Sequence, residues 1–386
     1  MKIHFNIPIL VIILAVSVVA ACQKVEISSE PVRIGLITYV DEHEKSVGIP
    51  TLNAAQMAVD EVNASGGIIV AGEPRKVELI VEGIASSPQN AVAATRKMIN
   101  AENVVAMVGL HYSLDAIPAG RFAERARVPL ISPMSTNRLT TEGRNYVFRM
   151  SFVDDLQGAV MARYAYQDLG ARRAAVLFNR SDPYGSGISD VFKSTFIALG
   201  GEVVSSLSYV DSVDSYHSLV VEINESNPDV LYLPGFAVDV ARQVREIRQQ
   251  GVDVQLLGAD GWNSQRFSTN SDFEGSYLTN HWIAGMDVPG SDSFVKRYRE
   301  LFGDLPEAVS ALTYDSMNIL FTALGSSNQI DGESIRDRLV DMGPFDGVSG
   351  TIDFVDSGDP VKGVVVLRLH QGEVHFQKIV QQGVDR

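Results

Sequence analysis

The stretch Val104-Val105-Ala106-Met107-Val108-Gly109-Leu110-His111-Tyr112-Ser113 sets the fold class. Its first five residues are apolar without interruption, so an extended segment there offers neither face to water. Such a strand belongs inside a parallel sheet with helices on both sides. Ala174-Ala175-Val176-Leu177-Phe178 repeats the pattern. Outward from these runs, strand and helix alternate. Strands are expected at 32–37, 77–81, 130–131, 203–207, 230–233 and 255–257. The spacing predicts helices over 51–63, 88–100, 114–125, 156–169, 188–199, 216–225 and 238–250, with Ser65-Gly66-Gly67 closing the first of them. One parallel sheet of this size would be large, so two doubly wound α/β lobes are expected. The end of the chain reads differently: helices at 291–302, 311–323 and 334–339, then strands at 351–354 and 364–369.

The chain begins with a charged head, Lys2, an apolar run free of acids, and the small residues Val19-Ala20-Ala21 before Cys22. That is the layout of a secretory signal. Asn6, Pro8 and Ser17 interrupt the run, whereas an anchor helix wants about 20 apolar residues. Cys22 is the only cysteine, and its place resembles the lipobox of bacterial lipoproteins. The expectation is a signal peptide over 1–21, lipidation at Cys22 and a tether over 22–30. The protein would then be exported and membrane-anchored, facing the periplasm or cell exterior.

The exported part has no second cysteine, so no disulfide staples it. Hydrophobic content of 45% and charged content of 20% suit an ordinary folded protein. The net charge of −15 argues against nucleic acid or anionic lipid as a partner.

In doubly wound folds ligands bind beyond the carboxyl ends of the strands. The loops to inspect are therefore 38–50, 109–113, 132–137, 179–187, 234–237 and 258–262. Ser113 stands just before a predicted helix, where a hydroxyl can cap the helix and its first-turn N–H groups can hold an anion. Ser135 and Thr136 offer further hydroxyls. Asp260 can pair with a cationic ligand group or simply close a turn. Tyr184 and Phe236 read equally as pocket walls or packing residues. Asp353, Asp356 and Asp359 read as a turn rather than a calcium loop. Enzyme motifs are scarce: there is no G-x-x-x-x-G-K-[ST] phosphate loop and no G-x-S-x-G elbow, and Gly185-Ser186-Gly187 lacks the third glycine of a dinucleotide loop. No cofactor, no metal site and no enzymatic activity are expected.

From about Val32 onward the chain resembles the leucine/isoleucine/valine-binding protein family, the type I periplasmic substrate-binding proteins of amino-acid ABC transporters. The resemblance rests on Val59-Asp60-Glu61-Val62-Asn63-Ala64-Ser65-Gly66-Gly67-Ile68, Val108-Gly109 through Ser113, Ile131-Ser132-Pro133 through Leu139-Thr140, Phe148-Arg149, Asp182-Pro183-Tyr184-Gly185 and Leu257-Gly258-Ala259-Asp260-Gly261. It implies two doubly wound parallel-sheet lobes joined by a three-crossing hinge near Ser151, His281 and Thr351. Lobe one would hold 31–151 and 282–350, and lobe two 152–281 and 351–386. By the same resemblance, Ser113, Thr136 and the backbone at Met134 hold a ligand α-carboxylate. Asp260 holds the α-ammonium, and Tyr184 and Phe236 are aromatic contacts.

The implied function is capture of an amino acid, branched-chain or related, in the interlobe cleft by a monomer that delivers it to an ABC permease. The alternative is an envelope interaction, regulatory or sensory lipoprotein on the same fold. The chain departs from the family in its first loop. There Asp41-Glu42-His43-Glu44-Lys45 and Val47 replace an aromatic wall, which leaves open whether Asp41, Glu42 or Glu44 meets the ligand.

Overall fold

The computed structural model describes residues 30–210, 213–354 and 358–382. The signal segment, Cys22 and the tether before Glu30 lie outside the described residues.

The chain runs through β1 (Val32–Tyr39), α1 (Lys45–Ala64), β2 (Ile68–Val70), β3 (Glu73–Arg75), β4 (Val77–Ile84), α2 (Pro88–Asn100), β5 (Ala106–Gly109), α3 (Ser113–Ala126), β6 (Leu130–Ser132) and β7 (Val147–Arg149). Five of these strands form a parallel sheet in the order β4-β1-β5-β6-β7. Next come α4 (Asp154–Arg163), β8 (Arg173–Asn179), α5 (Pro183–Ala198), β9 (Glu202–Tyr209), α6 (His217–Glu225), β10 (Val230–Leu233), α7 (Ala237–Gln249), β11 (Gln255–Gly258), α8 (Ser264–Ser268) and β12 (Tyr277–Asn280). The chain ends with α9 (Ser291–Phe302), α10 (Ala308–Gly325), α11 (Gly332–Asp341), β13 (Phe345–Gly347), β14 (Gly350–Ile352), β15 (Val364–His370) and β16 (Glu373–Val380). The second sheet has the order β16-β15-β12-β11-β10-β8-β9, parallel from β9 to β12 and antiparallel at β15 and β16.

Alternation along the apolar strands fills both faces of each sheet. Ile34, Leu36, Ala106 and Val108 pack in one core with α1 and α10, while Ile37 and Met107 pack in another with α2 and α3. Ala175 and Leu177 face α6 and α7, and Ala174 and Val176 face α4 and α5. The late helices return to the first sheet: Phe294, Leu312, Leu320 and Leu339 share the core of Ile34. Strands β15 and β16 instead extend the second sheet. Each sheet with its helices thus makes a lobe, and both repeat one strand order, second-first-third-fourth-fifth among the parallel strands. The order reverses between β1 and β5 and between β8 and β10, which creates a crevice at the carboxyl end of each sheet.

Several elements differ from the sequence reading. The loop expected over 38–50 is short, because α1 already begins at Lys45 and carries Pro50 inside it. Pro50 is the sixth residue of that helix and has no N–H to donate, so the ladder lacks one i→i−4 bond there. The loop over 179–187 likewise ends early, since α5 starts at Pro183 and places Tyr184 in its first turn. Strands β7 and β12 were not expected: with three and four residues they are too short to show a pattern. Edge strand β16 was not expected either, because its mixture of charged and apolar residues suits an exposed loop as well. The strand expected at 351–354 is divided: Gly350–Ile352 pairs with β13, and Phe354 bridges Pro360.

Candidate ligand-binding site

The candidate residues sit just beyond strand ends. At the end of β5, Gly109 has φ +132°, and a Cβ there would lie 2.1 Å from the Ile37 carbonyl oxygen. Leu110 follows with φ +62°, a left-handed conformation that side chains rarely adopt. This sharp turn carries His111, Tyr112 and Ser113 out of the sheet. Met134 and Thr136 follow β6, Phe236 follows β10 and Asp260 follows β11. One cavity of about 310 Å³ between the lobes is lined by Ser113, Met134, Thr136, Tyr184, Phe236 and Asp260 together. That volume suits a small molecule.

Ser113 is the first residue of α3, and its hydroxyl does not cap that helix. Its Oγ accepts the Asn137 N–H at 3.3 Å and lies 3.0 Å from Ser135 Oγ, which lies 2.6 Å from Thr140 Oγ1. The hydroxyls therefore tie the loops after β5 and β6 to each other, beside the opening turn of a 14-residue helix whose N-terminus favours negative charge. Behind them, fully buried Arg149 donates from Nη1 to the Ser135 carbonyl at 2.9 Å and from Nη2 to Thr141 Oγ1 at 2.6 Å. Its Nε–H donates to Asp359 Oδ1 at 2.6 Å, so Asp359 is a partner of the site's scaffold and more than a turn residue.

Asp260 has a side chain only 5% exposed. Its Oδ1 accepts from Gln157 Nε2 at 2.7 Å and from Tyr184 Oη at 2.8 Å, and its Oδ2 accepts from His281 Nε2 at 3.0 Å. Burial alone would raise its pKa. The hydrogen bonds from His281, Gln157 and Tyr184 outweigh burial and hold the carboxyl below the usual range. Burial keeps the His281 imidazole below its ordinary value, with Asp260 opposing. His281 also stacks on Phe152, ring centroids 3.8 Å apart. Phe236 stacks on Tyr184 at 5.0 Å and meets the Tyr112 edge at 4.7 Å, so the aromatic wall spans the cleft. A second bridge between the lobes is Asn137 Nδ2–H donating to the Pro183 carbonyl at 2.8 Å.

Of the acids in the first loop, Glu44 lines the cavity with Val47, and Asp41 and Glu42 do not. Glu42 is exposed and pairs with Lys45 at 2.5 Å. Sequence reasoning missed Gln157, His281, Asn263 and Glu307, none of which lies in one of the expected strand-end loops. The one available signal was a polar residue placed among buried neighbours.

Two doubly wound lobes that meet over a small cavity with a few polar side chains define a solute-binding protein of the two-lobed type. The profile of the periplasmic binding protein family matches residues 31–373, and the chain belongs to that family, among the leucine/isoleucine/valine-binding proteins. It is similar to an amino acid binding protein of Pseudomonas aeruginosa, 28% identical over 81% of this chain and 83% of the relative. It is also similar to the leucine-binding protein LivK of Thermotoga maritima, with 30% identity, a TM-score of 0.85 and coverage of 91% and 99% of the two chains. A third likeness is to LivJ of Streptococcus pneumoniae, a branched-chain amino acid transporter substrate-binding protein solved with isoleucine: 25% identity, TM-score 0.85, coverage of 92% and 100%.

Proposed function

We propose that this protein is a lipid-anchored extracytoplasmic receptor that captures an α-amino acid between its lobes and delivers it to an ABC importer, without catalysing a reaction. The observation that carries the reading is Asp260. It is a buried carboxylate held ionised by three donors, in the same cavity as Ser113, Thr136 and the first turn of α3. A fixed anion opposite an anion-binding helix end matches a zwitterion at both of its charges. Ser113, Thr136 and the Met134 backbone take the α-carboxylate, Asp260 takes the α-ammonium, and Tyr184 and Phe236 cover the ligand. The charges then come from opposite lobes, so ligand favours closure about chain crossings near Ser151, His281 and Thr351. Lobe one comprises 31–151 with 282–350, and lobe two 152–281 with 351–386. Anchoring through Cys22 and docking on a permease complete the reading. The names of the relatives support the amino acid, and the position of Cys22 supports the anchor.

Asp260→Asn keeps the size of the side chain and removes its charge. Calorimetric titration with amino acids should show affinity lower by about 10- to 100-fold, the weight of a charge-assisted hydrogen bond. Unchanged affinity in a folded variant would overturn the assignment.

A further inference from the structure

Part of the cavity lining is not used by the zwitterion set. Glu44, His111, Tyr112, Asn263 and Glu307 line it too, and among the described residues no lysine or arginine does. Glu307 immediately precedes α10. Its side chain makes no capping bond to that helix. Its Oε1 instead accepts from Asn263 Nδ2 of the other lobe at 3.3 Å, a long bond. Burial pushes its carboxyl up to about 7, so the fold keeps a poorly solvated acid for little structural return.

His111 adds no positive charge. The Thr51 hydroxyl donates to the Val47 carbonyl at 2.7 Å, so its oxygen accepts the His111 Nε2–H at 2.8 Å. That assigns the proton to Nε2 and leaves Nδ1 a lone-pair acceptor, buried and without a partner among the described residues. Burial lowers the imidazole to about 3, so it is neutral. Glu44 accepts the Tyr112 hydroxyl and contributes another carboxylate.

A branched aliphatic side chain closed into this lining would strip water from Glu307 and offer it nothing. A side chain ending in a cation would satisfy it. We propose that the ligand is an α-amino acid whose side chain ends in a positively charged group, with Glu307 and Glu44 as the residues that select it. The inference rests on the amino-acid reading above and narrows it.

The test is calorimetric titration of the purified protein, freed of co-purified ligand, with L-lysine, L-ornithine, L-norleucine and L-leucine at pH 7.5. L-Norleucine matches L-lysine in chain length without the ammonium. The basic pair should bind at least about 10-fold tighter than the aliphatic pair, as one charge-assisted hydrogen bond warrants. Glu307→Gln should cut L-lysine affinity by about 10-fold and leave L-norleucine within about twofold. If Glu307→Gln does not fold, Glu44→Gln should discriminate in the same direction. Tighter binding of L-leucine or L-norleucine would overturn this inference and leave the amino-acid receptor standing. Equal losses for L-lysine and L-norleucine in the variant would overturn it as well. Binding of none of the four would overturn this inference, and the receptor reading falls with it if no other standard amino acid binds either.

Discussion

Asp260 shows what one residue needs in order to stay charged away from water. Three donors reach it from Gln157, Tyr184 and His281, and together they outweigh the cost of burial. Glu307 has one distant donor and sits near 7 instead. The contrast gives a pH-dependent expectation. Near pH 7 the Glu307 carboxyl is about half protonated, and a nearby cation favours its ionised form. Binding of L-lysine should therefore release up to about half a proton at pH 7, and much less at pH 8, where the carboxyl is already mostly ionised and the ligand ammonium still protonated. Titration in buffers of different ionisation enthalpy reads this directly, and proton uptake at pH 7 would contradict it. Ser113, Thr136 and Asp260 were legible because each follows an apolar strand in a loop that the fold class points to. Their partners were not. Gln157 lies 103 positions from Asp260, and nothing local marks it.

Among the elements, the strands apolar on both faces were readable because burial on two sides leaves no alternation to mistake. Element ends were less so, since proline and glycine signal a break that tertiary contacts can override. α1 shows this: its first turn runs through Gly48, where the helix passes so close to β1 that a Cβ would fall 1.9 Å from the Tyr39 carbonyl oxygen. Gly48→Ala should cost about 1–3 kcal/mol, lowering the melting temperature by several degrees, and should weaken ligand binding by shifting Glu44 and Val47. A variant as stable as the parent would show that α1 can move off β1 freely. Arg149 tests the scaffold behind the hydroxyls. Arg149→Met should destabilise by about 2 kcal/mol and lower amino-acid affinity without touching ligand, because the Ser135 loop loses its support. Calorimetric melting and titration on one sample would separate the two effects, and a stability loss with unchanged affinity would confine Arg149 to the fold.

For the whole molecule, two sheets with one strand order place their crevices face to face, so that residues drawn from two lobes line one cavity. The repeated alternation of strand and helix made the two lobes legible. The return of α9, α10 and α11 to the first lobe was not, because an amphipathic helix does not record which sheet it will cover. Only the resemblance supplied that path. In the proposed closing motion, contacts such as Asn137 to Pro183 would hold the lobes together. Asn137→Ala should weaken binding by about 2- to 10-fold, mainly through faster ligand release, because the bond joins the two lobes across the cleft. Stopped-flow dissociation would show it, and an unchanged release rate would mean that the bond does not contribute to closure.

The most direct check on the zwitterion is to remove its charges from the ligand instead of from the protein. Calorimetry would compare the preferred amino acid with its analogue lacking the α-ammonium and its analogue lacking the α-carboxylate. Each loss should weaken binding by at least about 10-fold, because Asp260 or the Ser113 and Thr136 end of the cleft is then left unpaired. An analogue without the α-ammonium that binds as tightly as the parent would contradict the account.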